Sequence, residues 1–366
     1  MENILYSREM IRLEFAPYEL IFKEKAGTSR GTLLTKQTWF LRLTDEDRPS
    51  ISGYGEAALF EGLSPESGPG FETKLRETAR EIRDTGEIPW DKIKDFSSLI
   101  FGLEQALFDL RNGGKSLYFG VESSLRNKQV EINGLVWMGN REEMTERLRI
   151  KLREGFKCIK IKIGAINLED EISLLRHIRE DKYLRDVEIR LDANGAFSPD
   201  ECPGILKELS QFDIHSIEQP IKAGQWREMA EICRNSPIDI ALDEELIGIA
   251  DPLRREEMIR SIRPKYLILK PALCFGFSGA KDWIEKAEKH GVGWWVTSAL
   301  ESSVGLDALT QFVMTLNVEM PQGLGTGNLY VNNFSSPLQL TGDRLHYKRD
   351  FGNYRKELEK LEWRNQ

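Results

Sequence analysis

Four cysteines in 366 residues, with no CxxC pair among Cys158, Cys202, Cys233 and Cys274, argue against a disulfide framework or a thiolate metal centre. Histidine is as scarce, with His177, His215, His290 and His346 the whole set. His177 and His290 fall in helical stretches, His346 in the tail, and His215 at the start of an apolar run, so histidine catalysis is not expected. The one GxSxG match, GTSRG at Gly27–Gly31, lies between two strand-like runs and not on a strand-to-helix elbow, and no histidine partner is indicated, so nucleophilic hydrolysis is not expected. No stretch of 18 apolar residues occurs, and the opening MENILYSREMIRLEF has no apolar signal core. The expectation is a cytoplasmic protein without a membrane partner. A long basic run is missing too, and with a net charge of −8, nucleic acid has little support as a partner. What remains is a soluble globular protein, 30% charged and 40% apolar, long enough for one barrel and a smaller domain.

What the chain does have is carboxylates and lysines in phase. Asp192 in EIRLDANG, Glu218 in IHSIEQP and Asp243 in IDIALDEE each end an apolar run. Lys160 and Lys162 hold the matching place one run earlier, in CIKIKIG, and Lys270 one run later, in YLILKPAL. The steps from Lys162 to Asp192, Glu218, Asp243 and Lys270 are 30, 26, 25 and 27 residues. Each is about the length of one strand-plus-helix unit. In a (β/α)8 barrel such positions converge on the C-terminal mouth, where the chemistry is done. Three acids there, flanked by ammonium groups, describe a divalent-cation site in an enzyme.

The rhythm sets the expected organisation. The first ~125 residues show strand-like runs (YELIFKEKA, TWFLRLTD, SGYGEAALF) and then helical stretches over Phe71–Asp84 and Ser97–Arg111, an α+β pattern. AGTSRGTL, between the first two strands, reads as a plain hairpin loop or as a lid whose Arg30 meets an anionic substrate. From VEINGLVWMG the βα alternation runs through the motifs above to GWWVTSALES and LNVEMPQGLGTG. Amphipathic stretches fill the gaps at Arg141–Glu154, Leu168–Arg179, Pro199–Leu209, Gln225–Asn235, Pro252–Ile262 and Gly279–His290. After Gly327 the pattern fades, and the tail is free to return to the N-terminal part.

Hard oxygen ligands without a histidine pair favour Mg²⁺, or Mn²⁺, over Zn²⁺. Lys160 and Lys162, two apart on a strand, share a face. Placed close together, each is expected to lower the other's pKa, which suits a general base near neutral pH. Alone, KxK reads equally as a solvated edge strand, and any one acid as a helix cap. Arg190 and Asn194, flanking Asp192, are candidates for orienting the metal ligands.

KIKIG, RLDANG, IEQP, ALDEE and LKPAL, each on its own run, resemble the enolase superfamily, specifically its muconate-lactonizing subgroup, over nearly the whole chain. The resemblance implies a modified TIM barrel, (β/α)7β, over 126–327, with an α+β capping domain from 1–125 completed by about 328–366. It also implies that Lys162 is the acid/base on one face of a small-molecule carboxylate substrate and that Lys270 faces it from the other side. Asp192, Glu218 and Asp243 would hold the metal. TSALESSVGL and PQGLGTG resemble the o-succinylbenzoate synthases of that subgroup, dehydratases of menaquinone synthesis. In them the places of Thr297, Ser298 and Gly323 receive the succinyl carboxylate, and free backbone N–H groups are expected at these small residues. N-acylamino acid racemases share the catalytic residues and are the alternative, with other racemases or epimerases of the subgroup. The racemase ending GGMxETGIG, an epimerase DxD after the eighth strand, where GLGTG offers no acid, and a histidine between Trp294 and Glu301 are all absent.

Overall fold

The computed structural model describes residues 10–28, 31–120, 125, 127–137, 139, 141–164, 167–182, 185–348 and 354–365. Three antiparallel strands come first: β1 (Ile11–Thr28), β2 (Gly31–Asp45) and β3 (Ser52–Ala57). Alternate residues, such as Leu13 and Phe15 on β1 and Leu41 and Leu43 on β2, are buried as one apolar face. Helices α1 (Gly70–Thr85) and α2 (Ser97–Arg111) cover that face. α1 buries Phe71, Leu75, Ala79 and Ile82 and ends at Gly86, whose left-handed φ of 75° lets its N–H reach the Ile82 carbonyl. α2 lies so near β3 that a Cβ on Gly55 would sit 2.0 Å from the Gly102 carbonyl oxygen. The spacing in SGYGEA therefore answers to α2. In the first hairpin, pairing continues to Gly27↔Thr32 and Thr28↔Gly31. Arg30, with Ser29, lies outside the described residues.

The run VEINGLV divides. β4 (Gln129–Glu131) joins an antiparallel sheet with the tail hairpin of Leu338–Thr341 and Arg344–Tyr347, and β5 (Gly134–Val136) opens the barrel. A single strand was the expectation. An apolar alternation does not reveal where a strand changes partners. The barrel then proceeds as α3 (Arg141–Arg153), β6 (Cys158–Lys162), α4 (Leu168–Glu180), β7 (Glu188–Asp192), α5 (Cys202–Leu209) and β8 (Ile214–Glu218). It continues with α6 (Trp226–Asn235), β9 (Ile240–Leu242), α7 (Pro252–Ile262), β10 (Tyr266–Leu269), α8 (Gly276–Lys289), β11 (Gly293–Val296) and α9 (Ser303–Val313). β5 to β11 pair in sequence order, all parallel, as a seven-stranded sheet.

Gln322 and Gly323 link the end of β11 to the chain just before β5. Gln322 N–H reaches the Glu131 carbonyl at 2.8 Å, and Gly323 N–H the Val296 carbonyl at 2.8 Å. Ser298 N–H returns to the Gly323 carbonyl at 2.9 Å. In the tail, β12 (Leu338–Thr341), β13 (Arg344–Tyr347) and α10 (Arg355–Leu358) follow. Arg364 and Phe15 exchange backbone hydrogen bonds of 2.9 and 3.0 Å, so the tail adds to the first sheet. Asp307, buried on α9, accepts the hydroxyls of Tyr347 and of Tyr354, the latter at 2.8 Å. None of the described helices is long and apolar enough to cross a membrane.

Candidate active site

Register places the charged side chains. Lys162, Asp192 and Glu218 are direct partners across β6, β7 and β8. Asp243 and Lys270 are the residues that follow β9 and β10. Because side chains alternate, Lys160 and Lys162 both enter the barrel, and both are buried. The Lys160 ammonium lies 2.9 Å from Asp192 Oδ2 and also bonds Glu218. Lys162 lies 2.8 Å from the same Asp192 oxygen and donates to Asn194 Oδ1 at 2.7 Å. Lys270 pairs with Asp243.

At Lys160 the electrostatics run against the lowering expected from its lysine neighbour. Burial pulls the Lys160 pKa down, but the carboxylates of Asp192, Glu218 and Asp243 outweigh it, and the pKa is raised. Burial would raise Asp192; Lys160 and Lys162 win and hold it below the usual carboxylate range. Glu218 is pushed well above its usual value by burial and by the adjacent Asp192. Burial opposes the shifts at Asp243, which is lowered by Lys270, and at Lys270, which is raised by Asp243. Three lysine side chains thus lie against the three acids. No three acidic, histidine or cysteine side chains among the described residues form a ready metal cage. The donor set nevertheless fits a hard cation: three carboxylates, and a buried Glu218 Oε1 that lacks a hydrogen-bond partner.

A cleft opens over this group. Lys160, Lys162, Asp192, Asn194 and Lys270 line its charged wall, and Phe60, Leu135, Trp137 and Leu300 its apolar wall. Asn194 contacts the charged wall: its N–H donates to Asp192 Oδ1 at 3.1 Å, and its amide donates to Glu244 at 3.0 Å. Arg190 does not. It lies deeper in the barrel, where its guanidinium bonds Glu188 and the Pro321 carbonyl and covers the Trp295 ring at 4.4 Å. Two residues before Asp192 on the same strand face, it belongs to the layer below the acids. His215 stacks on Tyr266 at the start of β8 and β10, away from the mouth.

Thr297, Ser298 and Gly323 also line the cleft, but their N–H groups are engaged in closing the barrel, on Leu269, Gly323 and Val296 respectively. The hydroxyls are engaged as well. Thr297 donates to the Gly323 carbonyl at 3.0 Å, and Ser298 donates to Glu301 while accepting from Leu300 N–H and Thr326. Gly323 is glycine because a Cβ would meet Thr297 Oγ1 at 2.0 Å. The expected free N–H groups are thus replaced by a sealed wall.

Several participants escaped sequence reasoning. Gln219, at φ 41°, accepts from the N–H of both Asp243 and Glu245 at 3.2 Å and so fixes the loop bearing a carboxylate. Its place in IEQP, one residue after Glu218, was the available signal. Phe60 and Trp137 carry no periodicity that separates them from core residues.

Comparison with known proteins agrees with this geometry. A profile of the enolase C-terminal domain-like family matches residues 143–351. Over 92% of this chain and 98% of its own length, an o-succinylbenzoate synthase from Desulfotalea psychrophila is 45% identical. The chain belongs to the enolase superfamily. The crystal structure of MenC from D. psychrophila superposes with a TM-score of 0.80 at 41% identity, covering 92% of this chain and 99% of that one. An Enterococcus faecalis dipeptide epimerase, complexed with Mg and a dipeptide, shares the superfamily fold at TM-score 0.78 and 19% identity, covering 93% and 98%.

Proposed function

We propose that this enzyme is an o-succinylbenzoate synthase, a hydro-lyase that removes water from 2-succinyl-6-hydroxy-2,4-cyclohexadiene-1-carboxylate to give 2-succinylbenzoate. The 45% identity to the D. psychrophila synthase over nearly both whole chains carries the reading. The cleft supports it, since Lys162 and Lys270 both line it beside the acid cluster.

Lys162, after giving up its own proton, takes the proton α to the substrate carboxylate. The resulting ammonium then returns that proton to the departing hydroxide on the same face, releasing water and leaving an aromatic ring. Lys270 acts through its charge towards the ring's other face. A divalent cation, Mg²⁺ or Mn²⁺, held by Asp192, Glu218 and Asp243, would supply Lewis-acid stabilisation of the charge developing on that carboxylate. Lys160, salt-bridged to Asp192 and Glu218, balances the acid cluster. Asn194 orients Asp192 and Lys162, and Thr297, Ser298 and Gly323 shape the far wall. Residues 126–327 would form the barrel, with 1–125 and the tail as its cap. Four free cysteines suit a reducing cytoplasm.

Aromatisation followed at fixed metal concentration tests the reading; no conversion of the cyclohexadiene by metal-loaded protein rejects it. A lysine on each side of one cleft would also serve proton exchange at a single carbon. N-acylamino acid racemisation is therefore the second reading, checked by deuterium wash-in at Cα.

A further inference from the structure

Two helices on the barrel rim take N-terminal caps from the opposite part of the molecule. α8 has no capping side chain of its own. Instead, Glu104, buried on α2, accepts hydrogen bonds from the N–H groups of Phe277 and Ser278. Ser97, seven residues earlier and so on the same face of α2, accepts from Phe275 N–H at 2.7 Å. The first turn of a helix presents unsatisfied donors and partial positive charge, so a carboxylate there is stabilising. Glu56 on β3 does the same for α9, accepting from the N–H groups of Ser302 and Gly305 at 3.0 Å.

The corner that Glu104 grips is strained. Phe275 has φ 70°, a left-handed conformation that a bulky side chain rarely adopts. A Cβ on Gly276 would meet Glu104 Oε2 at 2.3 Å. Lys270 begins that corner. Its carbonyl accepts from Leu273 and Cys274 at 2.7 and 2.9 Å, and the Pro271 carbonyl accepts from Gly276 at 2.8 Å. A continuous set of backbone bonds therefore joins the lysine to the Glu104 anchor.

We propose that Glu104 is a positioning residue for Lys270, holding the 275–278 corner in its strained form and thereby fixing the lysine at the cleft. The proposal rests on the reading of Lys270 as part of the reacting centre. It explains why a carboxylate remote from the cleft is buried at an interface, and why α8 starts at Gly276, three residues before its own amphipathic pattern indicates.

Glu104→Ala, Glu104→Gln and Ser97→Ala, compared with wild type, give the test. Glu104→Gln keeps an oxygen acceptor and is expected within about threefold of wild-type kcat. Glu104→Ala is expected to lower kcat about tenfold with KM changed less than about threefold, since small misplacements of a reacting group are expensive in rate. Amide hydrogen exchange over 273–278 should quicken in Glu104→Ala and not in Glu104→Gln. A lower unfolding temperature with wild-type kcat would show a structural cap only and overturn the proposal. If Glu104→Ala does not fold, Ser97→Ala carries the same comparison, because it deletes only a hydroxyl. If wild type itself fails to dehydrate the substrate, the functional reading falls, and the exchange arm decides the positioning claim alone: unchanged exchange rejects it.

Discussion

The Lys162 ammonium lies 2.8 Å from Asp192 Oδ2, and the two residues are direct partners on adjacent parallel strands. The proposed proton acceptor is thus held against a proposed metal ligand before substrate arrives. Strand pairing fixes both, so neither depends on a loop for its place.

Lys162→Ala removes the proton acceptor and leaves the three acids. Dehydration should fall by at least about 10²-fold, the lower end of what general acid–base groups supply. Retention of more than about a tenth of wild-type kcat would exclude Lys162 as the sole acid/base. Circular dichroism and metal titration should match wild type.

Chelation should abolish turnover and Mg²⁺ or Mn²⁺ restore it. Glu218→Gln should weaken metal affinity, because it removes a negative oxygen donor and leaves a neutral amide. Equilibrium dialysis against Mn²⁺ reads this without reference to activity. Equal affinity for wild type and Glu218→Gln would remove Glu218 from the ligand set.

Gly323→Ala should lower stability by roughly 1–3 kcal/mol, the usual range for overpacking, because its Cβ collides with Thr297 where the barrel closes. Urea midpoints give the number. A midpoint within error of wild type would mean that the seam relaxes without strain.

Asp307 should give stability a specific pH signature. Burial raises its pKa from the ordinary 3.8 to about 6, against the lowering effect of the Tyr347 and Tyr354 hydroxyls. The folded state therefore binds this proton more tightly than the unfolded state. The contribution is fully present below the unfolded value and is lost as pH rises through 6. Its size is on the order of 3 kcal/mol, two units at 1.36 kcal/mol each. Asp307→Asn should remove that slope, so the stability of the variant relative to wild type should improve between pH 4 and 7. Parallel curves from urea titrations across this range would refute the assignment.

The charged layer of the barrel was legible because phase along the chain becomes register across strands. Lys162, Asp192 and Glu218, 30 and 26 residues apart, emerge as Cα partners. Arg190 misled for the same reason: proximity to Asp192 in sequence does not give depth in the barrel. α9 went unmarked because all eleven of its residues are buried, which erases the amphipathic signal. The early start of α8 was hidden because its cap, Glu104, lies 173 residues away from Phe277. Hydrogen bonds in the ladder decided the state of Ser298 and Gly323, and residue type does not disclose them.

The backbone exchange between Phe15 and Arg364 has a consequence for synthesis. The first sheet lacks its partner at Phe15 until Arg364 has been made, by which point β5 to β11 have already emerged. During translation the barrel can therefore assemble beside an incomplete cap, whose open edge stays exposed to other nascent chains. Removal of 359–366 should then show itself first as aggregation during expression.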